Sequence, residues 1–171
     1  MSVDPDPKSA DRLKSMGIDA RCGLIESLPV APESQDVVVC TEVIEHLTPT
    51  AMAAGLREIL RVLVPGGILI GTVPYRENLA ENEMFCPHCN EKFHRWGHQQ
   101  SFDQPTMRSV LSERFSVRKV RPIYFATWNT LDGKGKLGAA ARLAFSLFGV
   151  YSSSTNLLFL AAKPQSKNLP Q

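Results

Sequence analysis

Two groups of side chains have the types and spacing for metal or acid–base chemistry. The first is Glu42-Val-Ile-Glu45-His46, which places two carboxylates and an imidazole just past a strand-like apolar run. Such ligands suit Mg²⁺, Mn²⁺ or Zn²⁺, so the group predicts a divalent-metal site. The alternative is a polar rim on the active site in which Glu45 or His46 orients a substrate. His46 is the predicted general base, because imidazole titrates near neutrality, and Glu42 and Glu45 are predicted to orient the substrate or bind a metal.

The second group has the spacing C-x2-C-x4-H-x3-H, at Cys86, Cys89, His94 and His98. A CxxC turn presents two thiolates to one ion, and two histidines would complete a tetrahedral, structural zinc site. His88 is an alternative ligand. His98 could instead serve the first group, in which case the cysteines would use His88, His94 or both. Without a metal, this segment would be a loop with two reduced cysteines and exposed histidines.

Composition limits the class of protein. The chain has 171 residues, 43% of them hydrophobic, which is enough for one sizeable core but short for two independent domains. A net charge of +2 argues against long nucleic acids as partners. Neither a signal peptide nor a run of about 20 apolar residues is evident. We therefore expect a soluble, cytoplasmic protein without a transmembrane segment, whose four cysteines are reduced.

Alternating apolar runs and amphipathic segments predict an α/β fold with a doubly wound, mostly parallel sheet. Asp36–Cys40 is apolar and β-branched, which is typical of a central strand buried on both faces. Asp6-Pro7 and Thr48-Pro49 are typical helix starts. Further strands are predicted at 18–22, 68–73, 115–120 and 157–162, and further helices at 104–111 and 139–150.

Strand ends are the expected ligand site, because open α/β sheets bind ligands beyond the carboxyl ends of their strands. Asp4 lies at one such end, where a carboxylate can accept hydrogen bonds from both hydroxyls of a ribose. The alternative role of Asp4 is in the turn that leads into the first helix. Tyr75 and Arg76 follow another strand end and are candidates to close over a substrate.

The order of these motifs resembles that of the class I S-adenosylmethionine-dependent methyltransferases, and most closely the broad type 11 family. Four segments carry the resemblance, which spans about residues 2–120: Asp4, Gly23–Pro29, Asp36–Leu47 and Leu60–Gly67. The family implies a Rossmann-like, seven-stranded sheet whose last strand is antiparallel, with S-adenosylmethionine across the strand ends. It also implies that Asp4 holds the ribose, that Leu24, Ile25 and Glu26 flank the adenine, and that Cys40, Thr41 and Glu42 line the cofactor and substrate side.

Two departures from the family stand out. Family members usually have an acidic residue where Leu24 stands, so the adenine contacts would depend on backbone groups or on Glu26. The family's first strand and its glycine-rich loop should precede Ser2. We therefore expect a fold that lacks the first strand. Either the methyltransferase is truncated, which we favour, or a partner supplies the missing unit, and cofactor affinity should be poor.

The Glu42–His46 pattern also resembles metal-assisted O-methyltransferases, including those that act on the 3′-terminal ribose of small RNAs and those of ubiquinone biosynthesis. In the RNA group a further histidine comes from a context similar to Arg95–Phe102, which is where His98 lies.

These observations predict a methyltransferase-like domain over 1–163, with a metal-knuckle insertion at 74–103, a variable helical insertion at 123–154 and a disordered tail at 164–171. The expected activity is O- or N-methyl transfer to a small molecule. The alternative is a noncatalytic, zinc-stabilised binding module on a degenerate methyltransferase fold. The apolar helix near 137–150 is expected to be a lid, or a contact for a lipid-linked substrate through Phe145, Leu147 and Phe148.

Overall fold

The protein is described by a computed structural model that covers residues 1–125, 130–147 and 155–165, with the side chain of Leu147 left out. The predicted α/β class is confirmed. Its strands are β1 (Ser2–Asp4), β2 (Ala20–Cys22), β3 (Gln35–Thr41), β4 (Leu63–Pro74), β5 (Glu83–Phe85), β6 (Lys92–His94), β7 (Ser116–Tyr124) and β8 (Thr155–Ala162). Its helices are α1 (Pro7–Ser15), α2 (Pro49–Val62), α3 (Gln104–Ser112) and α4 (Gly133–Leu147).

Helix starts follow the sequence signals. The side chain of Asp6 accepts hydrogen bonds from the backbone N–H groups of Lys8 and Ser9, and Thr48 caps α2 through Ala51. In both helices a proline follows the cap. The N–H that proline lacks would have no partner within the helix at this position, so no helical hydrogen bond is lost. The predicted starts of α1 and α2 are therefore confirmed.

The strands form three sheets. The largest has the order β3-β4-β8-β7, in which β3 runs parallel to β4 and β8 runs antiparallel to both β4 and β7. β1 and β2 form a separate parallel pair, and β5 and β6 form an antiparallel hairpin. The last strand is thus antiparallel to its neighbours, as predicted.

The prediction that β3 is a central strand buried on both faces is wrong. β3 is an edge strand among the described residues, where it pairs only with β4. Val37 and Val39 are 53% and 68% exposed as a result. The central strands are β4 and β8, whose apolar side chains the helices cover. An apolar run specifies side chains suited to burial but does not show that a neighbouring strand is present.

The core lies between the large sheet and the helices α2 and α3. Met52, Leu56 and Ile59 recur on one face of α2 and are buried. They belong to one cluster with Leu69 of β4 and Phe159 of β8. Among the described residues no helix is long and apolar enough to cross a membrane.

Candidate active site

Glu42 is held at the end of β3. It takes a left-handed backbone conformation, with φ of 53°, and its N–H donates to the Thr72 carbonyl. One carboxylate oxygen, Oε1, accepts hydrogen bonds from Thr72 Oγ1 at 2.7 Å and from Asn156 Nδ2 at 2.8 Å. Glu42 therefore connects β3 to β4 and β8. It is in neither of the described groups that could hold a metal ion.

Glu45 is the most unusual charged group of the site. It lies in the short 3₁₀ helix Ile44–His46, and its side chain is only 1% exposed. Neither carboxylate oxygen has a hydrogen-bond partner among the described residues. Burial raises the pKa of Glu45 to about 7, and the neighbouring Glu42 and Glu77 carboxylates add to the rise. A buried carboxylate without partners is costly, which makes Glu45 a candidate ligand for a cation.

His98 reaches this helix because the chain after β6 binds to it. The N–H groups of Gln99 and Gln100 donate to the Glu45 carbonyl at 2.7 and 3.1 Å. Gln99 Nε2 also donates to the His46 carbonyl at 2.8 Å. The ring centroids of His46 and His98 are consequently 4.7 Å apart, edge to face. Glu45, His46 and His98 each offer a ligand atom within 4.8 Å of the others.

A second group that could hold a metal contains Glu77, His94 and His98. His98 Nδ1 lies 2.5 Å from Glu77 Oε2, and His94 Nε2 lies 3.5 Å from Glu77 Oε1. The side chains of all three residues are between 7% and 12% exposed. Sequence reasoning missed Glu77, because no spacing motif relates a glutamate after β4 to the histidines of a later hairpin.

The predicted zinc ligands Cys86, Cys89, His94 and His98 are not brought together as one set. Neither described group of possible metal ligands contains a cysteine, because both imidazoles face Glu77. Cys86 and Cys89 instead lie in the turn between β5 and β6. The N–H groups of Cys89 and His88, together with the Cys89 thiol, lower the pKa of Cys86.

Five of the six predicted cofactor residues line one cavity of about 640 Å³. These are Asp4, Leu24, Ile25, Glu26 and Cys40. Among the described residues β1 pairs only with β2 and β3 only with β4. The cavity lies between the other edges of β1 and β3, with Val3 on one side and Val37–Val39 on the other. Thr41 is exposed at the end of β3 and does not line it.

Neighbouring elements fix the walls of this cavity. Asp4 Oδ1 accepts a hydrogen bond from the Asp6 N–H at 2.8 Å, so Asp4 also has the turn role considered as its alternative. Ile25 packs on Gly55 of α2, where any side chain would meet Ile25 at about 3.0 Å. Arg61 of α2 donates to the carbonyls of Leu28 and Val30 at 3.0 and 2.9 Å, which ties the segment after β2 to that helix.

Three further sequence features have other roles. Tyr75 is 9% exposed and belongs to the core cluster, so it does not lie open at the site, whereas Arg76 contacts Asp103 at 4.0 Å. Gly133–Gly138 has the spacing G-x-G-x-x-G, but these glycines lie inside α4 rather than in a turn after a strand. α4 exposes Leu137, Leu143 and Phe145, and Phe148 lies outside the described residues.

The sheet order, the antiparallel last strand and the cavity at β1 and β3 together define a methyltransferase-like α/β fold. The model of a family described as "Methyltransferase domain" matches residues 1–71. No curated protein matches the chain significantly. The resemblance to the class I S-adenosylmethionine-dependent methyltransferases is confirmed.

Several solved structures share the fold. A SAM-dependent methyltransferase from Methanosarcina mazei is 13% identical with a TM-score of 0.66, covering 96% of this chain and 82% of that one. The N-methyltransferase NodS from Bradyrhizobium japonicum, in complex with S-adenosylhomocysteine, is 18% identical with a TM-score of 0.56, over 96% and 66%. A Burkholderia thailandensis 1,6-didemethyltoxoflavin-N1-methyltransferase is 15% identical with a TM-score of 0.59, over 96% and 61%.

Proposed function

We propose that the protein takes part in methyl transfer from S-adenosylmethionine to an oxygen or nitrogen atom of a small molecule. The observation that carries this proposal is that five predicted cofactor residues line one cavity, in a chain with the methyltransferase fold. The NodS and didemethyltoxoflavin methyltransferase structures are both described with S-adenosylhomocysteine bound, which supports the same cofactor here.

The lining residues suit such a cofactor chemically. Bound S-adenosylmethionine supplies an electrophilic methyl group on a sulfonium sulfur. Asp4 uses one carboxylate oxygen for the Asp6 N–H and has the other for ribose hydroxyls. Leu24 is 57% exposed and offers an apolar surface to a purine ring, and the Glu26 carboxylate can accept from an amino group.

We also propose that an additional parallel strand fits between β1 and β3. Both strands present to the cavity an edge with which no described strand pairs, and unpaired edges of this kind readily accept another strand. The exposed Val37 and Val39 would be covered by such a strand and by what packs on it. A glycine-rich turn after this strand would complete the cofactor site. The proposal holds whether the strand comes from the same polypeptide or from a partner.

Calorimetric titration with S-adenosylhomocysteine tests this function. Once the additional strand is supplied, by a longer form of the polypeptide or by a partner, the protein should bind it, and Asp4→Asn should weaken binding about tenfold, since a charged hydrogen-bond acceptor is lost. The exposed Asp11→Asn is the matched control and should leave the affinity unchanged. If the protein shows no binding with this strand in place, the methyltransferase proposal fails and the noncatalytic binding module takes its place.

For the acid–base chemistry, we propose that a divalent ion binds Glu45, His46 and His98. In the ion-free protein His46 would be the general base instead, because an imidazole whose lone pair is bound to an ion cannot accept a proton. The donor set fits an ion, because Glu45 is buried with two unpartnered oxygens and lies within reach of two imidazoles. A bound divalent ion would polarise an acceptor oxygen. Glu42, which the sequence placed in the same ion site, would instead keep the end of β3 attached to its neighbours.

Ion titration distinguishes this site from the predicted cysteine–histidine site. Glu45→Gln should lower the affinity for Mn²⁺ or Zn²⁺ at least tenfold, because the only anionic ligand of the set is lost. Cys86→Ser, the control, should leave the affinity unchanged. The opposite pattern would contradict the Glu45 site and favour zinc at Cys86, Cys89, His94 and His98.

The remaining parts of the proposal concern the domain organisation and the methyl acceptor. Residues 1–163 act as one domain, with insertions at 74–103 and 123–154 and a tail at 164–171. The exposed Leu137, Leu143 and Phe145 on α4 favour an apolar or lipid-linked small molecule as acceptor.

A further inference from the structure

Glu77 lies beside two histidines, His94 at the end of β6 and His98 just after that strand. Its Oε2 lies 2.5 Å from His98 Nδ1, and its Oε1 lies 3.5 Å from His94 Nε2. Asn82 Nδ2 donates to the same Oε1 at 2.8 Å. Glu77 is 12% exposed, so its carboxylate is satisfied largely by the hydrogen bonds of His98 and Asn82 rather than by solvent. Hydrogen bonds to both carboxylate oxygens therefore hold the side chain of Glu77 in one position.

The backbone determines where the proton of His94 resides. His94 Nδ1 accepts hydrogen bonds from the N–H of His98 at 3.0 Å and from that of Trp96 at 3.3 Å. A nitrogen that accepts two N–H groups carries no proton, so the neutral ring has its proton on Nε2. That nitrogen faces Glu77 Oε1. Nε2 makes no hydrogen bond among the described residues, and as the protonated nitrogen it has no lone pair for an ion, which argues against Glu77, His94 and His98 as an ion site of their own.

His98 has the opposite arrangement. Its Nδ1 is the atom beside Glu77, and a carboxylate can only accept a hydrogen bond, so Nδ1 carries the proton. The lone pair of the neutral ring therefore lies on Nε2. The ring itself is held between two others: it stacks on His94 with centroids 4.9 Å apart and meets His46 edge to face at 4.7 Å. Both its tautomer and its orientation are defined.

We propose that Glu77 is a positioning residue that holds His98 as the Nδ1–H tautomer and so makes Nε2 the ligand atom offered to an ion at Glu45 and His46. The inference rests on the ion site proposed above. A histidine ligand of this kind depends on the partner of its other nitrogen, and removal of such a partner typically weakens metal binding about 10- to 100-fold. His94 contributes to the same arrangement, because its ring stacks on that of His98.

The tautomer of His98 can be measured in the ion-free protein by long-range ¹H–¹⁵N NMR at about pH 8, where imidazoles are mainly neutral. The wild-type protein should show the Nδ1–H form. Glu77→Ala should move His98 toward the Nε2–H form that predominates in free imidazole side chains. It should also lower the affinity for Mn²⁺ or Zn²⁺ by 10- to 100-fold.

Two further variants complete the experiment. Glu77→Gln keeps a carbonyl oxygen that can accept from His98 Nδ1, so it should retain the tautomer and most of the affinity. Glu81→Ala removes an exposed glutamate of the same segment, which accepts a hydrogen bond from the nearby Asn78, and should change neither measurement. Rescue by glutamine separates positioning of His98 from a general need for charge.

The outcomes separate this inference from the ion site on which it rests. An Nε2–H form of His98 in the wild-type protein overturns the inference without the use of any variant. An unchanged tautomer in a folded Glu77→Ala protein does the same. If the tautomer responds to Glu77 as expected but the wild-type protein binds no ion, the proposed ion site has failed and His98 has no ligand role for Glu77 to support.

Discussion

Gly71→Ala should lower the free energy of unfolding by about 3 kcal/mol or more, which is a large part of the stability of an ordinary domain. Gly71 lies in the central strand β4, opposite Cys40 on one side and Phe159 on the other. A methyl group at this position would lie 2.0 Å from the Cys40 carbonyl oxygen and 2.3 Å from the Phe159 ring. The ring can rotate, but the carbonyl belongs to the backbone of β3 and can be relieved only by moving that strand.

Urea unfolding of the variant and of Gly138→Ala, a matched control, measures this effect. Gly138 is exposed on α4 with nothing near the position of an added methyl group, so alanine there should stabilise the protein slightly through its better helix propensity. Because β3 leads to Glu42 and Glu45, the displacement should also disturb the candidate active site. Equal stabilities for the two variants would contradict the close approach at Gly71.

The fold was predictable where the sequence carried local signals. Asp6-Pro7 and Thr48-Pro49 fixed two helix starts, because a cap and a proline act on the neighbouring backbone alone. The place of β3 in its sheet was not predictable in this way. Whether Val37 and Val39 are covered depends on a strand from elsewhere, and their own β-branched side chains do not report it.

The candidate site, like the fold, was predictable where the signal was local in sequence and not where it depends on distant residues. Glu45 and His46 were found because they follow a strand closely in sequence. The spacing of Cys86, Cys89, His94 and His98 gave a chemically reasonable ligand set, yet the histidines turn toward Glu77. That outcome depends on hydrogen bonds from Gln99 and Gln100 to the Glu45 carbonyl, which bridge more than 50 residues of sequence. No local pattern predicts contacts at that separation.

Without bound ions, the stability of the protein should fall as the pH rises from about 4.5 to 8, and Glu45→Gln should remove a large part of that fall. The pKa of Glu45 is about 7 in the folded protein, against an ordinary 4.5 in the unfolded chain. Between these values the folded state holds a proton that the unfolded state has released. The stabilisation is therefore fully present below about pH 4.5 and is lost as the pH rises through about 7.

The size of this effect follows from the two pKa values. Their difference corresponds to roughly 3 kcal/mol, because each pKa unit is worth about 1.4 kcal/mol. Glutamine stays neutral throughout, so wild-type and variant stabilities should diverge by this amount between pH 4.5 and 8, in favour of the variant at the higher pH. Urea unfolding in the presence of a chelator measures it, with the exposed Glu81→Gln as control. Parallel pH profiles for wild type and Glu45→Gln would show that Glu45 is ordinarily solvated.

The same pair of proteins connects stability to function. Ionised Glu45 is costly in the folded protein because its oxygens have no hydrogen-bond partners among the described residues, and a cation beside it would offset that cost. Saturating Mn²⁺ or Zn²⁺ at pH 8 should therefore stabilise the wild-type protein more than Glu45→Gln, since a ligand that binds only the folded state adds stability that increases with the logarithm of its affinity. The difference between the free energies of unfolding of the two proteins at pH 8 should then become smaller or change sign. A stabilisation shared equally by both proteins would place the ion elsewhere and leave the buried carboxylate without a partner.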